Sequence, residues 1–172
     1  MSKICYVLGA GGARGISHIG FLQAMEENGI KPDFIAGCSM GSVVGACYSN
    51  GMKPKDMMEV VNSLKMSDIA DASLFPFNKK SLLRSVKLRN KLESVIGKVK
   101  FEDLKIPFEC IAADIVSGKV ITFNSGDVTE AVHASSAIQA FSNPLKKTVW
   151  CSLTVVPLCP FRLTVLKTLM PT

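Results

Sequence analysis

Short apolar runs alternate with amphipathic stretches through the first half of the chain. "KICYVL" (3–8) has the length and composition of a strand and runs into the glycine-rich "GAGGARG" (9–15). In "ISHIGFLQAMEENGI", Ile16, Ile19, Phe21, Leu22 and Met25 recur at helical spacing, and Asn28-Gly29 supplies a stop. "DFIAG" (33–37) predicts a second strand, followed by a helix from Ser39 to about Asn50 with Gly51 beyond it. Strand, tight glycine turn and helix, twice over, predict an α/β fold with a mostly parallel sheet.

Further along, residues 54–96 carry mostly helical spacing, broken at "DASLFPFNKK". "IPFECIAADIV" (106–116) and "KVITFNSG" (119–126) predict two strands joined at Ser117-Gly118. "DVTEAVHASSAI" opens a helix with Asp127 as N-cap and Glu130 three residues on, the spacing of a capping box. After Ile138 the pattern changes. "TVWCSLTVVPLCPFRLTVLKTLMPT" has no glycine, no helix cap and no alternation of charge.

The chain's 172 residues suffice for one domain with a real core, and 48% apolar against 20% charged residues is a globular balance. The net charge of +6 would suggest an anionic partner if it were spread evenly. It is not: no acid follows Glu130, and Lys146, Lys147, Arg162 and Lys167 supply four of the six charges. Nucleic-acid binding therefore gains little support. The segment "KKSLLRSVKLRNK" (79–91) holds six basic residues and no acid, which leaves peripheral contact with a membrane surface open beside an ordinary solvated helix. No apolar run reaches the ~20 residues of a membrane span, and the start does not resemble a signal peptide. The six cysteines (Cys5, Cys38, Cys47, Cys110, Cys151 and Cys159) form no CxxC pair and no cluster with histidine. They are expected to be buried free thiols in a reducing cytoplasm, with no metal and no cofactor. Nothing in the pattern fixes an oligomeric state.

The candidate chemistry lies in "IAGCSMGSVVGA" (35–46), where Gly37, Cys38, Ser39, Met40 and Gly41 form Gly-x-Ser-x-Gly at a strand-to-helix junction. Such a nucleophile elbow lifts a serine oxygen clear of the sheet on a sharp turn, and the flanking glycines relieve the crowding. The N-terminal amides of the following helix favour negative charge there. The glycine loop one βα unit upstream could hold an oxyanion or a phosphate. A dinucleotide loop would need a third glycine where Arg14 stands, so the oxyanion reading is preferred.

"GAGGARGISHIG" and "GCSMGS" together resemble the patatin-like phospholipases, serine acyl hydrolases. Residues 3–138 carry the likeness, since "IPFECIAADIVSGKVITF" and "AVHASSAI" also look like the family's later strands and helix. The resemblance implies a three-layer α/β/α fold related to the α/β hydrolases. It implies Ser39 as nucleophile, an oxyanion hole from the amides of Gly11, Gly12, Ala13 and Arg14, and a lipid or other ester as substrate. Ala10 stands where the family's loop has its first glycine, a mild departure because the amide remains.

A Ser-His-Asp triad would call on His18 or His133, both better read as packed or surface residues. The patatin-like family instead uses a Ser-Asp dyad whose aspartate sits in an Asp-Gly-Gly or Asp-Gly-Ala turn after an "ASSAIPG"-like segment. This chain has no Asp-Gly dipeptide; Asp114 matches a strand-end aspartate of the family, and Asp127 reads as a helix cap. Reading each codon after Ile138 one base earlier permits "PG-aliphatic-F … DGMV … DGG", the family's continuation in order and spacing. The expectation is a patatin-like domain over 1–138, incomplete at its C-terminal side, and an out-of-frame tail over 139–172 with exposed apolar runs such as "LTVVPLC". The chain is expected to be an acyl hydrolase by descent with weak or absent activity. A non-catalytic remnant and, less favoured, a nucleotide-binding domain remain as alternatives.

Overall fold

The computed structural model describes residues 3–63, 89–113 and 119–136. The first apolar run forms β1 (Cys5–Leu8) and "DFIAG" forms β2 (Phe34–Cys38). The two pair in parallel, with Cys5 opposite Phe34 and Leu8 opposite Gly37. Helix α1 (Ser17–Glu27) connects them and ends where expected, with Asn28 as C-cap and Gly29 at φ 68°. Helices α2 (Met40–Ser49) and α3 (Pro54–Ser63) and the helical residues 89–96 (α4) lead to β3 (Phe108–Ala113). β3 lies parallel to β2, and β4 (Val120–Phe123) then runs antiparallel to β3. The sheet order is β1-β2-β3-β4, an α/β sheet with two parallel junctions and one antiparallel. The last described element is α5 (Val128–Ser136).

The core follows from strand alternation. Tyr6 and Leu8 are buried while Val7 between them is 51% exposed. Leu8, Ile35 and Phe108 line the face against which α2 packs. A side chain on Gly45 would sit 2.9 Å from the Phe108 ring and 3.2 Å from Ile35 Cγ2, so that glycine sets how closely helix and sheet approach. Ile19 and Leu22 of α1 and Val128 and Val132 of α5 complete the cluster. The Phe101 and Phe108 rings stack with centroids 5.8 Å apart.

Four details depart from the sequence pattern. Phe21, expected on the buried stripe of α1, is 39% exposed and stands edge-on to Tyr6 at a centroid distance of 5.1 Å. It sits at the rim of a stripe centred on Ile19 and Leu22. The glycine loop does not lead directly into α1 but curls through a 3-10 turn over Gly12–Ile16. Ser39 is not the first helical residue: α2 starts at Met40. The capping box at α5 is half made. Asp127 Oδ1 accepts the Glu130 amide at 2.8 Å, while the Glu130 carboxylate pairs with Arg89.

No helix among the described residues is long and apolar enough to cross a membrane. The break at 71–80, residues 79–88 of the basic segment, Asp114, the Ser117-Gly118 turn, Cys151, Cys159 and the 139–172 tail lie outside the described residues.

Candidate active site

β2 delivers the chain to Ser39, whose backbone takes φ 52° and ψ −122°. Among the described residues this is the one non-glycine position with positive φ. Such a conformation costs an L-residue about 1–3 kcal/mol and persists where surrounding contacts impose it. The flanking glycines supply those contacts. A Cβ on Gly37 would come within 2.6 Å of Ser42 Cα and 2.9 Å of the Gly41 carbonyl oxygen. A Cβ on Gly41 would fall on the Leu8 carbonyl and within 2.5 Å of the Gly9 carbonyl oxygen. Gly41 therefore lets the start of α2 press against the end of β1, where the glycine loop begins. Ser39 is half-buried, and its hydroxyl makes no hydrogen bond among the described residues.

The same seam brings the two motifs together. The Met40 side chain lies over Gly15, where a Cβ would meet Met40 Cγ at 2.5 Å and Cβ at 2.6 Å. The loop reaches this seam through Gly11, extended at φ 177°, and Gly12, left-handed at φ 53°. The four amides assigned to the oxyanion from the sequence are not equivalent. The Arg14 amide donates to the Gly11 carbonyl at 3.0 Å and is consumed by the turn. Those of Gly11, Gly12 and Ala13 have no acceptor among the described residues. His18 Nε2 lies 2.9 Å from the Gly9 carbonyl oxygen, so this nitrogen carries the hydrogen and tethers the loop to α1. That tether, rather than partnership with Ser39, is the contact His18 makes. His133 lies on α5.

The Ser39 carbonyl is the first acceptor of α2, taking the amides of Ser42 at 2.8 Å and Val43 at 3.2 Å. Ser42 Oγ donates to it at 2.6 Å and Ser136 Oγ at 3.4 Å. The amides of Met40 and Gly41, open at the helix start, have no acceptor among the described residues. The Ser39 amide itself donates to Ser135 Oγ at 2.9 Å. Ser42, Ser135 and Ser136 are contributors that motif reading missed, because a helical serine in "GSVV" or "ASS" carries no signal of a distant partner.

No carboxylate among the described residues hydrogen-bonds the Ser39 side chain. Asp127 serves as the N-cap of α5. One buried carboxyl does lie on the sheet: Glu109 of β3 is 1% exposed, its Oε1 has no partner among the described residues, and burial raises its pKa. It pairs in register with Ala36, three residues before Ser39. The thiols of Cys47 and Cys110 are buried, and burial pushes that of Cys47 up to about 12, which keeps it protonated and inert. Cys38, beside Ser39, is half-buried and pairs in register with Ile111.

The model of the family described as Patatin-like phospholipase matches residues 6–148. An uncharacterized NTE family protein of Mycobacterium tuberculosis is 34% identical over 142 residues, which cover 83% of this chain and 39% of that protein. Lysophospholipase NTE1 of Cryptococcus neoformans var. neoformans serotype D is 34% identical over 151 residues, covering 83% of this chain and 9% of that protein. The chain thus spans well under half the length of these relatives. Among solved structures, ExoU of Pseudomonas aeruginosa in complex with SpcU superposes with a TM-score of 0.60 at 17% identity, over 80% of this chain and 38% of that one. That likeness concerns the fold alone. With the family model spanning both glycine motifs and the strands between them, the chain belongs to the patatin-like phospholipase family.

Proposed function

We propose that this domain is built to hydrolyse carboxylic esters of lipids, with Ser39 as nucleophile and the amides of Gly11, Gly12 and Ala13 as the oxyanion hole. The observation that carries the reading is the strained Ser39 turn, seated through Gly41 and Met40 on the end of β1 and the glycine loop. Ser39 Oγ bonds to the ester carbonyl carbon as the carbonyl π bond opens onto oxygen. The negative charge that develops there would be met by the main-chain N–H groups of Gly11, Gly12 and Ala13, which have no acceptor among the described residues. The Arg14 amide is left out of this role because the turn uses it. The seryl proton passes through a base to the departing alcohol, the C–O bond to that alcohol breaks, and an acyl-serine remains. Water then repeats the cycle and releases the acid. The relative named as a lysophospholipase supports a lysophospholipid as the ester to test first.

The base is the missing part. The family resemblance assigns it to an aspartate in an Asp-Gly turn, and none of the chain's aspartates is followed by glycine. A serine hydroxyl without a base is a poor nucleophile, so the 172-residue chain by itself should turn over little ester. This absence is also what favours the second reading, a non-catalytic remnant whose residues after Ile138 come from a shifted frame. Treatment with a fluorophosphonate probe tests the first reading against the second. A slow label that disappears in Ser39→Ala is expected; no difference between the two proteins would sink the acyl-hydrolase reading for this chain. A nucleotide site is less favoured, because the glycine loop is occupied on its inner side by Met40 and Gly41.

A further inference from the structure

We propose that Ser135 of α5 is a positioning residue that holds Ser39 in its elbow conformation by standing in for the next rung of the β2–β3 ladder. In the parallel pairing of β2 and β3, Ile35 is opposite Phe108 and its amide donates to the Pro107 carbonyl at 3.0 Å. The ladder repeats every two residues on each strand. Continued from Ile35 through Gly37, its next rung would run from the Ser39 amide to the Ile111 carbonyl. That direct bond is not made. The Ser135 hydroxyl stands between the two groups, accepting the Ser39 amide at 2.9 Å and donating to the Ile111 carbonyl at 2.6 Å.

The substitution has a geometric meaning. A direct bond would keep Ser39 extended and continue the strand. An interposed oxygen satisfies the same donor and acceptor while letting the chain peel away from β3, as φ 52° requires. Ser135 is 0% exposed, so water cannot replace its hydroxyl without opening the packing of α5 on β3. The neighbouring Ser136 Oγ reaches the Ser39 carbonyl at 3.4 Å, so α5 contacts both polar groups of the Ser39 backbone. A residue 96 positions along the chain thereby sets the turn on which the serine stands.

The effect on reactivity rests on the acyl-hydrolase reading; the effect on backbone conformation does not. The test is nuclear magnetic resonance of the full chain beside Ser135→Ala, Ser135→Thr and a control, Ser49→Ala. The control removes another fully buried hydroxyl, on α2, that has no partner among the described residues. In Ser135→Ala the Ser39 amide is expected to exchange about tenfold faster or more, relative to Ile35, with its Cα and Cβ shifts moving toward extended values. Ser135→Thr, which keeps the hydroxyl, should restore both, and Ser49→Ala should change neither. If the alanine chain does not fold, Ser135→Cys supplies the same comparison with a weaker donor and acceptor. Unchanged Ser39 shifts and protection in the variant that folds would overturn the proposal, as would an equal change in the control. Fluorophosphonate labelling of the same proteins separates the two claims. No Ser39 label in any of them, with the resonance pattern as expected, counts against the hydrolase reading alone. A label as fast in Ser135→Ala as in the parent counts against positioning.

Discussion

Ser39 and Glu109 show how differently single residues can depart from what their surroundings favour. Ser39 holds a backbone conformation that costs about 1–3 kcal/mol, offset by contacts that need glycine at 37 and 41. Glu109 holds a side chain where a carboxylate is poorly solvated: 1% exposed, one oxygen without a partner among the described residues, on a strand whose other residues are apolar. Its raised pKa has a definite consequence for stability. Folding favours the protonated form, so the stability this group contributes is present below the ordinary value of 4.5 and is lost as pH rises through the raised one. Glu109→Gln removes the charge and should flatten that loss. Thermal unfolding followed from pH 4.5 to 8 should show the variant more stable at the upper end by about 1–3 kcal/mol. Parallel curves for the two proteins would show that the carboxylate is solvated after all. Cys5, raised to about 11 by burial and by the Glu109 charge, is the titratable neighbour whose own ionisation lies above that window.

The elements were legible to within a residue or two where periodicity and punctuation agreed. β1, β2 and α1 begin or end beside glycines or Asn28-Gly29, and their apolar spacing has one consistent period. Asp127 and Glu130 marked the start of α5, and the Asp127 cap is made as the spacing implied. Asp127→Ala should therefore lower stability by about 1 kcal/mol, read as a drop in the thermal midpoint, whereas Asp127→Asn should retain most of it. The 3-10 turn at Gly12–Ile16 was not legible, because the Met40 side chain that lies on Gly15 comes from a distant part of the chain. Ser135 was invisible for the same reason, since its two partners belong to β2 and β3. Glu109 was passed over because one polar residue within "IPFECIAADIV" does not disturb an apolar strand pattern. Local signals thus located the elbow and the loop. The contacts that join them are tertiary, and no single stretch of sequence records them.

At the scale of the molecule, α2 joins the parts: it packs on the sheet and on α5, its first turn presses on the end of β1, and Met40 meets the loop. Gly41 is where these demands converge. Gly41→Ala would place a methyl against the Leu8 and Gly9 carbonyls and should cost about 1–3 kcal/mol or more in stability, together with loss of Ser39 reactivity. The proposed nucleophile and oxyanion cradle, in a sequence with no Asp-Gly turn to supply the base, together make one quantitative claim: the base, not the elbow, limits this chain. Shifting the frame after codon 138 as proposed, so that Asp-Gly turns are encoded, isolates that claim in one measurement. Lysophospholipid hydrolysis is followed for the chain as it stands, for the restored chain, and for the restored chain carrying Ser39→Ala. The expected result is hydrolysis by the restored chain at least 100-fold faster than by the other two, in keeping with the roughly 10²–10⁴-fold worth of a positioned general base. A folded restored chain that hydrolyses no faster, or one whose activity survives Ser39→Ala, would contradict the account.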